Sequence, residues 1–284
     1  MSIGGIITAM VTPFDGDGRV DEDATVELIR HCLGSGSDGI VMASTTGEAS
    51  TLDDEEKLRL FQLAADQAGD ALVVANTGSN DTRHSVELTE KASEIDGVDA
   101  ILAVTPYYNK PNRRGVVAHF HAIAAATELP VIVYNIPSRC VIDMPNELLA
   151  ELGQVENIAA VKQARFEDIA PIDGMDLLAG NDDVLADVLD MGGTGGILVA
   201  SQIVGSEMRR MIDEPGERRQ IHDGLKDLFS AMGVTVNPIP VKTAMRMLGH
   251  EVGGFRLPLV EASDDEAEEI RIVLERHGLT SSAV

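Results

Sequence analysis

The chain has 284 residues, 44% of them hydrophobic and 24% charged, with 47 acidic side chains against 22 basic ones and a formal net charge of −25. That apolar content supplies a full core and excludes disorder as the dominant state, while the acidic excess argues against nucleic acid and anionic membranes as partners. No apolar run reaches membrane-spanning length, and two cysteines, Cys32 and Cys140, make neither a disulfide framework nor a metal-ligand cluster, as expected of a protein in a reduced cytoplasm.

Residues 1–14 hold a short apolar run with no basic segment before it and no cleavage pattern, so no signal peptide is expected. Strand-like runs then recur at 5–11, 39–43, 72–77, 100–105, 130–135, 158–163, 177–180 and 195–200. Segments of helical period lie between most of them, among them 21–32, 53–68, 82–94, 116–127 and 146–152. The spacing of roughly 25–35 residues per repeat is that of βα units. Acidic residues Asp53, Asp54, Glu55 and Glu56 stand where a helix first turn favours them, and Pro145 stands at another helix start. Eight alternating units predict an α/β fold, a (β/α)8 TIM barrel with a C-terminal helical extension. Periodicity does not by itself show closure, so a doubly wound sheet is the alternative. After Ala200 only helical segments follow, at 206–212, 216–232, 240–248 and 264–277. The expected organisation is a barrel over 1–205 carrying the active site and a helical region over 206–284 packed on it.

Barrel enzymes place their chemistry at the C-terminal ends of the strands. Taken in chain order, the second strand ends in Ser44-Thr45-Thr46-Gly47-Glu48 and the fourth in Thr105-Pro106-Tyr107-Tyr108-Asn109. The fifth ends in Tyr134-Asn135 with Pro137-Ser138-Arg139 beyond, the sixth in Lys162, and the seventh in Gly180-Asn181-Asp182. The Thr45-Thr46-Gly47 turn reads either as an anion cradle of hydroxyls and backbone N–H groups or as a simple helix cap. Tyr134, Thr45 and Tyr108 are placed to form a hydroxyl chain that carries protons; the bland reading of each tyrosine is a rim residue with its hydroxyl in water. Arg139 offers a fork for a carboxylate, or pairs with one of many surface acids.

Lys162 closes the apolar run Ile158-Ala159-Ala160-Val161 and is one of six lysines in the chain. A strand buried on both faces normally excludes an ammonium group. Desolvation lowers a lysine pKa and makes the free amine a nucleophile toward carbonyls, so an imine with a keto acid is the sharp reading. The alternative is a stem that packs while the head reaches water.

Together, Thr45-Thr46-Gly47-Glu48, Val104-Thr105-Pro106-Tyr107-Tyr108-Asn109, Tyr134-Asn135-Ile136-Pro137-Ser138-Arg139 and Val161-Lys162 resemble the ordered motifs of the dihydrodipicolinate synthase / N-acetylneuraminate lyase family over about Gly4 to Leu279. Arg139, Asn237-Pro238-Ile239-Pro240-Val241-Lys242 and Arg256-Leu257-Pro258-Leu259 resemble its synthase branch. The resemblance implies a class I aldolase-type lyase in which Lys162 forms an imine with pyruvate, and Tyr134, Thr45 and Tyr108 relay protons. Thr46 would hold the pyruvate carboxylate, Arg139 the carboxylate of L-aspartate 4-semialdehyde, and the backbone around Ile197 would close the site. The implied product is 4-hydroxy-tetrahydrodipicolinate, on the way to diaminopimelate and lysine. No metal or organic cofactor is implied. A homotetramer built as a dimer of dimers is, with Tyr107 reaching across an interface.

Cys140-Val141 stand where the family commonly has Thr-Gly, Gln163-Ala164-Arg165-Phe166 replace a small-residue run, and Ser44 replaces a glycine. These departures flank the aldehyde half of the site. They keep open a 2-keto-3-deoxy sugar acid aldolase or N-acetylneuraminate lyase, and, from another class, a catalytically dead keto-acid-binding regulator. Arg165 is expected to face solvent, or else to bind a sugar-acid carboxylate. His84 stands where lysine-inhibited members carry an acid in the cleft matching Ser50, Asp54, Lys57, Asn80 and Tyr107, so weak or absent lysine inhibition is expected. The arginine-rich, lysine-poor acidic composition also fits a protein that stays soluble in concentrated salt, where screening removes self-repulsion.

Overall fold

The computed structural model describes residues 2–165 and 167–279. Eight parallel strands form a closed barrel in sequence order: β1 (Gly5–Ala9), β2 (Gly39–Met42), β3 (Leu72–Asn76), β4 (Ala100–Val104), β5 (Val131–Asn135), β6 (Ile158–Gln163), β7 (Asp176–Ala179) and β8 (Gly195–Leu198). Closure excludes the doubly wound alternative. The ring is completed where β8 pairs with β1 and Gly5 lies opposite Gly195. A Cβ on Gly195 would stand 2.1 Å from the Gly5 carbonyl oxygen, so the backbones meet there only because Gly195 has no side chain.

Period-two alternation splits the strand side chains between two cores. Ile7, Ala9, Val41, Val74, Leu102, Ile132, Tyr134, Ala160, Leu178 and Ile197 fill the barrel interior. Their neighbours, such as Ile6, Ile40, Val73, Ile101, Val133 and Val161, pack against the surrounding helices. Lys162 shares the parity of Ala160, so alternation directs it into the interior and sends Gln163 to the helix side.

The helices are α1 (Glu22–Gly34), α2 (Asp54–Ala68), α3 (Thr82–Ser93), α4 (Arg113–Ala124), α5 (Pro137–Cys140), α6 (Asn146–Leu152), α7 (Leu185–Asp190), α8 (Ser201–Asp213), α9 (Arg218–Ala231), α10 (Ile239–Met247) and α11 (Asp264–Arg276). Asp21, Asp53, Asp81 and Asn112 each accept a backbone N–H at a helix start, and Asp53 with Glu56 forms a full capping box. The Asn112 cap starts α4 three residues before the apolar period that predicts 116–127. The single-turn α5 and the short α7 escape periodicity, since neither is long enough to show an amphipathic stripe. The expected division between 205 and 206 falls inside α8. That helix packs on β1 and α1 as the barrel's own eighth helix, with a backbone kink at Val204 (φ −125°, ψ 41°) close to the expected break. Among the described residues, only α9–α11 are helices beyond the barrel. No helix among the described residues is long and apolar enough to cross a membrane.

Candidate active site

Parallel pairing of β5 with β6 places Tyr134 directly opposite Lys162, and both side chains enter the barrel at its C-terminal end. The Lys162 Nζ lies 4.2 Å from the centre of the Tyr134 ring. Lys162 is 4% exposed, and burial lowers its pKa from 10.5 to about 7, partly opposed by Asp182 and reinforced by Arg139. Burial pushes Tyr134 up to about 12, while hydrogen bonding to the Thr45 side chain and the charge of Arg139 pull it down. Asp182 accepts the backbone N–H groups of Val199 and Ala200 at 3.0 and 3.1 Å. Its pKa is nonetheless raised to about 6, burial outweighing those donors.

A cavity of about 330 Å³ exposes these groups, lined by Thr45, Thr46, Tyr134, Arg139, Lys162 and Asp182 among others. A second lobe of about 310 Å³ shares Thr45, Tyr134, Arg139 and Asn237 with it and extends to Tyr107, Cys140 and Leu259. Thr46 is buried, and its hydroxyl accepts from Asn237 Nδ2 at 3.0 Å. Arg139 stands exposed on α5 and donates to the Asn237 carbonyl at 3.2 Å, its fork available at the mouth. The arrangement offers a desolvated amine, a phenol partnered by the Thr45 hydroxyl on the turn after β2, and a guanidinium at the entrance, groups able to form an imine, carry its protons and hold an anion.

 

Not every expected residue joins this group. Tyr108 is 88% exposed, with φ at 71°, and lines neither lobe, so within its own chain it is no part of the relay. Tyr107 lines the second lobe of its own chain while remaining 38% exposed. Two consecutive side chains leave a loop in different directions, and sequence does not say which points inward. Ile197 is buried inside the barrel beneath the cavity, and Val199 supplies the wall from this part of the chain. Arg165 neither faces solvent nor enters the cavity: its side chain is 12% exposed and lies 3.4 Å from both Asp143 and Asp168. Phe166 lies outside the described residues. In the Ser50–Tyr107 cleft, His84 Nε2 is 2.9 Å from both Asp54 oxygens, and Lys57 is 3.8 Å from one of them.

Asn237, Asp182, Val199 and Cys140 line the site without having been singled out for it. Asn237 opens the motif at 237–242 and Asp182 lies just after the seventh strand, so position marks both; only the fold shows their direction. No cluster of metal-ligating side chains occurs among the described residues.

The Dihydrodipicolinate synthetase family matches residues 2–277. A 4-hydroxy-tetrahydrodipicolinate synthase of Heliobacterium modesticaldum is 43% identical over 295 residues, spanning 99% of this chain and 98% of that protein. Among solved structures, the chloride-inhibited dihydrodipicolinate synthase of Acinetobacter baumannii complexed with pyruvate is similar with a TM-score of 0.94 at 33% identity, covering 98% of this chain and 100% of that one. A monomeric dihydrodipicolinate synthase variant has a TM-score of 0.93 at 32% identity, with 98% and 97% covered.

A lysine with a pKa near 7 is protonated and inert below that pH and a free amine above it. Reductive labelling of Lys162 by a small carbonyl compound and borohydride, followed by peptide mass spectrometry, is expected to rise with pH through a midpoint near 7. A rise centred near the ordinary lysine value of about 10.4 would contradict the desolvated amine.

Proposed function

The chain belongs to the dihydrodipicolinate synthetase family, and from that premise we infer that it condenses pyruvate with L-aspartate 4-semialdehyde to give 4-hydroxy-tetrahydrodipicolinate. It is thus a pyruvate-dependent lyase of the route to diaminopimelate and lysine, placed in the cytoplasm. The observation that carries the reading is a buried lysine of lowered pKa, beside a buried tyrosine, at the C-terminal mouth of a barrel.

The free Lys162 amine attacks the keto carbon of pyruvate, and loss of water gives the imine. The imine draws electrons from the methyl carbon, which loses a proton and becomes the enamine nucleophile. That carbon attacks the aldehyde carbon of the second substrate, whose oxygen takes up a proton. The substrate's own amine then displaces Lys162 from the imine carbon, closing the ring and restoring the enzyme. Tyr134, partnered by Thr45, serves these proton transfers. Thr46 holds the pyruvate carboxylate, and Arg139 holds the carboxylate of the aldehyde. No step calls for a metal or an organic cofactor.

Tyr108 reaches a site only from another subunit, because on its own chain it stands in solvent. We therefore assign it to the relay of a neighbouring copy in a homotetramer built as a dimer of dimers. Exposed Leu257 and Val260 add apolar surface to that assembly.

Borohydride with pyruvate is expected to add mass at Lys162; no increment there removes the enzyme reading. Arg139→Ala is expected to lower kcat/KM for the aldehyde about 10- to 100-fold while leaving pyruvate trapping intact. Equal loss for both substrates would remove Arg139 from the aldehyde end. For the shared relay, Tyr108→Ala and Lys162→Ala are each expected to be nearly inactive, and mixed subunits to regain activity. A fully active monomer in sedimentation measurements would overturn the assembly.

A further inference from the structure

Lys242 is buried even more completely than Lys162, and it serves a different purpose. Its side chain and that of Glu48 are both 0% exposed, with Nζ 2.9 Å from Glu48 Oε1. Nζ also donates to the Thr12 carbonyl at 2.7 Å and lies 4.3 Å from the centre of the Phe14 ring. The second Glu48 oxygen accepts the Arg256 backbone N–H at 3.1 Å. Taking two charges out of water costs several kcal/mol for each ion, and well-packed apolar replacements are often as stable. Stability alone is therefore a weak reason for this pair.

Its position supplies another. Glu48 directly follows the Thr45-Thr46-Gly47 turn and holds a left-handed backbone conformation, φ 56° and ψ 38°, which is uncommon for a residue with a side chain. The Thr12 hydroxyl donates to the Gly47 carbonyl at 2.7 Å, so one residue takes a hydrogen bond from Lys242 and gives one to the turn. Asn237, just before α10, holds Thr46 from the other side. Lys242 lies on α10 itself, its N–H bonded to the Pro238 carbonyl at 3.0 Å.

We propose that the Glu48–Lys242 pair is a positioning device for the pyruvate end of the site, by which α10 sets the Thr45-Thr46 turn against Lys162. The proposal rests on Thr46 holding the pyruvate carboxylate. A misplacement of about 1 Å in such a group is enough to cost roughly 100-fold in rate.

The test uses the full-length enzyme with Glu48→Gln, Lys242→Met and the double variant, in which no unpaired charge remains buried. The double variant is expected to melt close to the parent, with KM for pyruvate raised at least about tenfold and KM for the aldehyde little changed. Pyruvate trapping at Lys162 should persist at saturating pyruvate and need a correspondingly higher concentration. A double variant that melts like the parent and keeps its KM for pyruvate overturns the proposal, as does one whose binding falls only in step with loss of folded protein. If the unaltered enzyme shows no pyruvate trapping at Lys162, the reading of the site itself fails and the proposal falls with it.

Discussion

The pairing of β5 with β6 is the constraint on which the site depends. A one-residue slip between these strands would turn Lys162 out toward the helix layer and bring Gln163 into the barrel. The register is held behind the sheet as well as within it. Asn135, next to Tyr134, donates to Gln163 Oε1, to Asp143 and to the Met144 carbonyl, and accepts the Met144 N–H. Those bonds also anchor the segment that carries α5 and Arg139. The outward-facing polar residues of β5 and β6 thus fix the inward-facing ones.

The electrostatics follow from that placement. Lys162 is desolvated because Tyr134, Ile197 and the other interior residues leave it little water. Asp182 favours its charged form and Arg139 opposes it, so the two ends of the cavity act on the amine in opposite senses. An anion that neutralises Arg139 removes one influence favouring the free amine. Anion binding at Arg139 and the nucleophilicity of Lys162 are therefore coupled through charge.

The sequence made the barrel legible because eight short apolar runs alternate with helical periods, and the interior residues at strand ends follow from counting by twos. Direction within loops was not legible. Tyr107 and Tyr108 are adjacent and chemically alike, yet one lines the cavity and the other projects into solvent. Arg165 lies in a segment with no period, and its pairing with Asp143 depends on a turn 22 residues upstream in the chain. Lys242 stands in a proline-containing helix start rather than in an apolar run, so its sequence context carries no sign of its burial. Its burial shows that a lysine among apolar neighbours is not by itself a nucleophile. What separates the two is the partner: Lys242 has a carboxylate and a carbonyl, while Lys162 faces the cavity.

That difference bears on the role of the C-terminal region. A helical appendage merely packed on a barrel would cover apolar surface and leave the strand ends complete. Here Phe229, Met232 and Asn237 form part of the cavity wall, and Lys242 and the Arg256 backbone hold the turn after β2 from behind. The barrel supplies the amine, the phenol and the threonines, and α9, α10 and the segment after them set where the threonines stand. Separating the two would leave Glu48 buried without its cation, the costly arrangement for an ion pair. The barrel and the helices beyond it are thereby bound into one unit at the point where the chemistry takes place.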